Sequence, residues 1–221
     1  MNTMSTARRA ITSIKTQLSG KKVYNLSVIC SRNFSVSTFR NMKLVQFVYN
    51  ENPNEIRAGY LDGDNVVDIN KADSSLPRTM IEILKNGDIE KVKNLKSSKP
   101  ASIPLSSVQL AAPITGNDKV LCIGLNYKDH CEEQNLTPPK VPMIFNKFPS
   151  CIVGQKDKVK LRTDVTDKVD WEVELTVVIG KKASNVKAAD AFDYVLGYTV
   201  AQDISARDWQ KERNGGQFLL G

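Results

Sequence analysis

Trp171-Glu-Val-Glu-Leu-Thr-Val-Val-Ile179 is followed by Tyr194-Val-Leu-Gly-Tyr-Thr-Val200 and then by Asp203. The first run alternates apolar and polar residues as far as Thr176, the pattern of a strand with two unlike faces. Trp171, Val173, Leu175 and Val177 share one face, and Glu172 and Glu174 share the other. The two carboxylates then lie about 6.6 Å apart along the strand. A solvated outer face is one explanation of such a pair. Convergence on a single cation is the other, because adjacent carboxylates with no lysine between them repel. Tyr194 to Val200 reads as a second strand able to pair with the first, which places Asp203 just past its C-terminal end. Asp203 suits the N-cap of a helix through Arg213. It also completes a set of three carboxylates, and oxygen donors with open water positions suit Mg2+ or Mn2+ better than Zn2+.

Upstream, Lys119 to Gly124 is an apolar strand, followed by a loop entering a short helix that carries His130 and Glu133. His130 is the only histidine of the chain, which removes any multi-histidine zinc site and any HExxH motif. On a helix, positions i and i+3 share a face, so Glu133 can orient the imidazole as a general base. A surface histidine beside acids is the plainer alternative. Met143 to Phe145 is a further short apolar run, and residues 154–170 are charged without a period. Residues 42–112 contain three short strands (44–50, 56–63 and 65–70), a helix over 78–85, a weaker helix over 88–95 and a proline-containing linker over 97–104. This stretch carries no chemical constellation, and its expected role is structural.

The chain has 221 residues, with 31 Lys and Arg against 24 Asp and Glu, a formal charge of +7. Eight of the basic residues fall in residues 1–50, which contain no acid; the other 23 face all 24 acidic residues, a net of −1. The positive charge therefore belongs to the N-terminus and not to a nucleic-acid-binding body. An acid-free leader rich in Arg, Ser and Thr has the composition of a mitochondrial presequence, and Arg32-Asn-Phe-Ser35 resembles a matrix-peptidase cut site. Residues 1–41 are accordingly expected to be a presequence and disordered leader, with the mature chain in the mitochondrial matrix. No 18-residue apolar run is present to span a membrane. The four cysteines are sparse and irregular, unlike a disulfide framework.

Three blocks, GLNYKDHCEEQN (124–135), DWEVELTVVIGKK (170–182) and YVLGYTVAQDISARDWQKERNGGQFLLG (194–221), resemble in order and spacing the fumarylacetoacetate hydrolase superfamily. The resemblance is strong over 116–221 and loose over 42–115. It implies an α+β fold: a β-rich catalytic domain, here its N-terminal part over 113–221, preceded by a small N-terminal β/α domain over 42–112. It implies that Glu172, Glu174 and Asp203 are ligands of Mg2+ (or Mn2+). It implies that His130 and Glu133 form the dyad that activates water in hydrolytic members, and that Arg207 and Gln210 hold substrate oxygens. Substrates across the family are small 2-oxo acids and 1,3-dicarbonyls, and full-length members are usually homodimers. The implied activity is enol–keto tautomerisation of oxaloacetate. Acylpyruvate hydrolysis and oxaloacetate decarboxylation are the alternatives.

A family lysine is expected directly after the QFLLG block, with the remainder of the β-fold beyond it, so the chain is expected to be a truncated, catalytically incompetent form. An incomplete sheet is expected to leave an uncovered apolar face.

Overall fold

The computed structural model describes residues 42–213 and 215–221. The expected presequence over 1–41 lies outside them.

Three strands, β1 (Lys43–Tyr49), β2 (Asn52–Asp62) and β3 (Asn65–Asp68), meander antiparallel. The turn between β2 and β3 is made by Gly63, whose φ of 57° lies in the left-handed region. Short strands β4 (Ile103–Pro104) and β5 (Val108–Leu110) complete a five-stranded sheet in the order β4-β3-β2-β1-β5. Helices Met80–Asn86 and Ile89–Ser97 match the two expected from periodicity. The first ends on Gly87 in the left-handed conformation, whose backbone N–H donates back to Ile83 and Leu84. A short helix, Ile69–Ala72, takes the end of the stretch expected to continue β3; the Asp68 side chain caps it by accepting from the Lys71 backbone N–H.

The sheet buries residues on both faces. Ala58, Tyr60 and Val67 pack with Ile69, Leu76, Met80, Ile83 and Val92 on one side, while Phe47, Val66 and Val108 form a smaller cluster. Gln46 is fully buried with its amide satisfied: Nε2 donates to the Ala112 carbonyl (2.9 Å) and the Thr115 hydroxyl (3.1 Å), and Oε1 accepts from the Met80 backbone N–H (3.0 Å). Arg57 is also buried, clamped on Asp68 by Nε (2.7 Å) and Nη2 (2.9 Å). Tyr49 donates to the same carboxylate at 2.9 Å. Burial pushes the Asp68 carboxyl up, but the donors from Arg57, the Lys71 backbone and Tyr49 outweigh it and hold it below its ordinary value.

The second half consists of three two-stranded antiparallel ribbons. β6 (Val120–Gly124) pairs with β7 (Met143–Lys147), with the helix Lys128–Glu133 between them in sequence. β8 (Val169–Asp170) pairs with β11 (Ser205–Ala206). β9 (Val173–Ile179) pairs with β10 (Val195–Gln202). The expected alternation of β9 is present, and its apolar face is the exposed one: Val173, Leu175 and Ile179 are each more than half exposed, as are Tyr198 and Val200 on β10. Leu121 and Ile144 are similarly exposed on the β6–β7 ribbon. Apolar side chains are therefore exposed on two ribbons. Phe218 stacks edge-to-face on Phe145 with centroids 5.3 Å apart, covering the opposite face of β7. Among the described residues no helix is long and apolar enough to cross a membrane.

Two outcomes follow from this packing. Arg57→Ala leaves the Asp68 charge buried without its main partner and should lower stability by about 3–5 kcal/mol in a denaturant melt. Because the folded Asp68 value lies below the unfolded one (about 3.9), its contribution is complete above that pH and is lost as pH falls through the folded value. Acid-side melting temperatures should therefore fall less steeply in Asp68→Asn than in the parent. Separately, a Cβ on Gly59 would lie 2.5 Å from the Val67 carbonyl oxygen and 2.8 Å from the Phe47 ring. Gly59→Ala should therefore destabilise by about 1–3 kcal/mol through overpacking.

Candidate active site

The β9–β10 register sets the centre of the site. Ala201 faces Glu174, Gln202 faces Val173, and the Asp203 backbone N–H donates to the Glu172 carbonyl at 2.8 Å. The expected strand pair therefore forms, and it places Asp203 opposite Glu172. Asp203 does not cap a helix, a correction to the sequence reading. The chain continues through β11 before turning helical at Arg207, and residues Trp209–Arg213 are wound as a π-helix. The Asp203 side chain is used in an ion pair with Lys147.

Glu172 and Glu174 lie on the half-buried face of the strand, not on a solvated outer one. The Glu172 carboxylate meets Arg207 Nη1 at 2.5 Å. Glu174 accepts from Asn126 Nδ2 at 3.1 Å. Burial pushes the Glu174 carboxyl above its ordinary value; hydrogen bonds from Asn126 and Tyr127 pull it back, and the charges of Glu172 and Asp203 push it further up. The three acids thus share one electrostatic neighbourhood.

A cation or amide attends each of them. Lys147 is the unforeseen member: Met143, Phe145 and Lys147 alternate onto the inner face of β7, and its ammonium sits against Asp203 and donates to the Ile204 carbonyl at 3.2 Å. Asp203 Oδ1 is buried and accepts no hydrogen bond beyond that ion pair. Among the described residues no group of three or more His, Cys, Asp or Glu is gathered closely enough to hold a metal ion. The donor chemistry is nonetheless of the kind a hard divalent cation takes: carboxylate oxygens, with the charge of Glu174 disfavoured by those of Glu172 and Asp203.

The loop after β6 delivers Asn126 and Tyr127. Leu125 adopts a φ of 51°, a left-handed conformation costing about 1–2 kcal/mol for a branched side chain. The turn it makes lets Asn126 reach Glu174 and lets the Tyr127 hydroxyl accept from the Leu175 backbone N–H at 3.2 Å. His130 follows on the helix, half-buried, with its Nε2 2.7 Å from Gln134 Nε2. Gln134 in turn accepts from Lys211 Nζ at 2.7 Å. Glu133 is exposed, and no hydrogen bond joins it to His130; the imidazole is oriented by Gln134 instead. Gln134 was visible in the sequence only as the i+4 neighbour on the same face.

Arg207 and Gln210 are brought together, Nη1 donating to Gln210 Oε1 at 3.1 Å. Gln210 is buried against Gly221, where a Cβ would come within 2.6 Å of the Gln210 Cβ. Asp170 completes the group, accepting from Arg207 Nε at 3.1 Å and Nη2 at 2.8 Å. The chemical resources here are carboxylates that suit a cation, one fixed guanidinium that suits a carboxylate, and a hydrogen-bonded imidazole that can exchange a proton.

Residues 119–221 match the fumarylacetoacetate (FAA) hydrolase C-terminal family. The chain is 48% identical over 193 residues to the mitochondrial oxaloacetate tautomerase fahd2 of Xenopus laevis, covering 86% of this chain and 60% of that protein. It is 42% identical over 216 residues to the mitochondrial oxaloacetate tautomerase FAHD2A of Homo sapiens, covering 92% and 66%. The chain thus spans about three fifths of the length of the Xenopus relative. Among solved structures, a fumarylacetoacetate hydrolase from Exiguobacterium antarcticum superposes with a TM-score of 0.62 at 27% identity, covering 80% of this chain and 60% of that one. A maleylpyruvate hydrolase from Sphingobium, in complex with manganese(II) and pyruvate, superposes with a TM-score of 0.59 at 25% identity, covering 75% and 60%. The ribbon architecture, the ordered acidic and arginine blocks and these similarities agree: the chain belongs to the fumarylacetoacetate hydrolase superfamily, with its α+β fold.

Proposed function

We propose that this chain is the tautomerase part of a mitochondrial, divalent-metal-dependent enzyme that interconverts the enol and keto forms of oxaloacetate. The observation that supports the reading is the β9–β10 register, which puts Asp203 opposite Glu172, two residues from Glu174, with Arg207 paired to Glu172. The names of the Xenopus and human relatives support the substrate and the compartment. The manganese and pyruvate of the Sphingobium hydrolase support the metal and the 2-oxo acid class.

Glu172, Glu174 and Asp203 would hold Mg2+ or Mn2+, which supplies Lewis-acid stabilisation of an enolate oxygen. Arg207 supplies a fixed cation for a substrate carboxylate, and charge-assisted bonds to a planar guanidinium set its orientation. Gln210 adds an amide at the same edge. His130 carries the proton, taking it from the enol hydroxyl or from C3 and returning it at the other site. Gln134 fixes the ring plane, so the transfer distance is set before substrate arrives. A homodimer in the matrix is part of the same proposal, as are 42–112 and 113–221 as separate domains.

Hydrolysis of an acylpyruvate asks for more than this. It needs a carboxylate behind the imidazole to hold an activated water, and the hydrogen bond of His130 goes to Gln134 and not to Glu133. That arrangement favours tautomerisation, which needs only an enolate and a proton carrier.

In a full-length version of the protein, two substitutions test the reading by following enol-oxaloacetate absorbance with and without Mg2+. Glu174→Gln should abolish the metal stimulation and lower turnover by about a hundredfold or more; undiminished metal-stimulated decay in that variant would contradict the assignment. His130→Ala should slow tautomerisation by about a hundredfold without changing Mg2+ affinity. Release of pyruvate from an acylpyruvate or from oxaloacetate, at rates matching the enol decay, would instead identify a hydrolase or a decarboxylase.

A further inference from the structure

Arg207 is held by two carboxylates with different relations to the site. Glu172 takes one N–H, from Nη1 at 2.5 Å. Asp170 takes two, from Nε at 3.1 Å and Nη2 at 2.8 Å, both on Oδ2. The other Asp170 oxygen accepts from the Trp171 backbone N–H at 2.9 Å, so the carboxylate is itself oriented by the chain. The backbone brings the two residues together before any side chain acts. β8 and β11 pair with Asp170 opposite Ser205 and Val169 opposite Ala206, and the Arg207 N–H donates to the Lys168 carbonyl at 2.9 Å.

We propose that Asp170 is the positioning residue of the substrate-binding arginine, an inference that rests on the reading of the site given above. Glu172 is needed for the carboxylate set, so its hold on Arg207 is shared with another role. Asp170 grips the Nε edge of the guanidinium and leaves Nη1 to Glu172 and Gln210; a substrate carboxylate would take the place of one of these acceptors on Nη1. Asp170 does not touch that position. Nearly half of its side chain is exposed, and ion pairs at such exposure contribute little to stability. A planar fork held at two nitrogens nevertheless loses its rotational freedom, and the entropy of fixing it is spent before the ligand binds.

The test uses a full-length version of the protein with Mn2+, with oxalate as a planar dicarboxylate probe measured by calorimetry and enol-oxaloacetate measured by absorbance. Asp170→Asn should weaken oxalate binding about tenfold, equivalent to about 1.4 kcal/mol. It should raise KM by a similar factor, change kcat less than threefold and leave Mn2+ affinity unaltered. Asp170→Glu, which keeps the charge, should recover a measurable part of the oxalate affinity. In the Arg207→Lys background, Asp170→Asn should have little further effect, because the fork it positions is gone. Unchanged oxalate affinity and KM in a folded Asp170→Asn protein would overturn the proposal while leaving the active-site reading intact. So would a parallel loss of Mn2+ affinity, or full additivity with Arg207→Lys. A full-length parent that neither binds oxalate nor turns over enol-oxaloacetate would remove the active-site reading itself, and this inference with it.

Discussion

Like charges placed side by side are the constraint around which the second half of this molecule is arranged. The β9–β10 pairing brings Asp203 level with Glu172 and leaves Glu174 on the same half-buried face. Three carboxylates in such a setting are tolerable only if positive or donor groups attend them. The structure supplies one for each: Arg207 for Glu172, Asn126 for Glu174 and Lys147 for Asp203. Asn126 and Lys147 come with the β6–β7 ribbon and Arg207 follows β11, so these contacts also tie β6, β7, β9 and the Arg207 turn to one another. The electrostatic demand of the site and the assembly of the ribbons are met by the same contacts.

The N-terminal half answers a different demand. Its sheet is covered on both faces, and its polar insertions, Gln46 and the Arg57–Asp68 clamp, are fully provided with partners. It behaves as an ordinary packed core, and it offers no exposed constellation of reactive groups. By contrast, the two ribbons that build the site turn apolar faces outward. The two halves therefore differ in how much of their apolar surface this chain covers, and the half carrying the chemistry is the less covered one.

Much of the architecture was readable from local pattern. Hairpin turns at Gly63 and the helix stop at Gly87 need a left-handed residue, and glycine announces it. The alternation of Trp171 to Thr176 specified a strand, because a period of two leaves no other regular option. The same alternation could not say which face is covered. A strand carrying carboxylates on one side and branched apolar residues on the other is normally read with the carboxylates outward, and here they face inward. The helix expected from Asp203 failed for a related reason. Its N-cap propensity was real, but its backbone N–H pairs with the Glu172 carbonyl and its side chain with Lys147, and β11 follows before the chain turns helical at Arg207.

The sequence by itself determined the longer strands and helices, the acidic and basic residues available and the order in which they occur, because these depend on local periodicity and turn chemistry; the short strands β4, β5, β8 and β11 exist only through their pairing. Only the tertiary structure decided the partners: Gln134 rather than Glu133 beside His130, Lys147 against Asp203, and Asp170 gripping Arg207. The physical reason is that the Lys147 and Asp170 contacts join segments far apart in the chain, and their distances are set by strand register and packing. Between Glu133 and Gln134, both near His130 in sequence, the choice turns on one step of helical rotation, which no local propensity distinguishes.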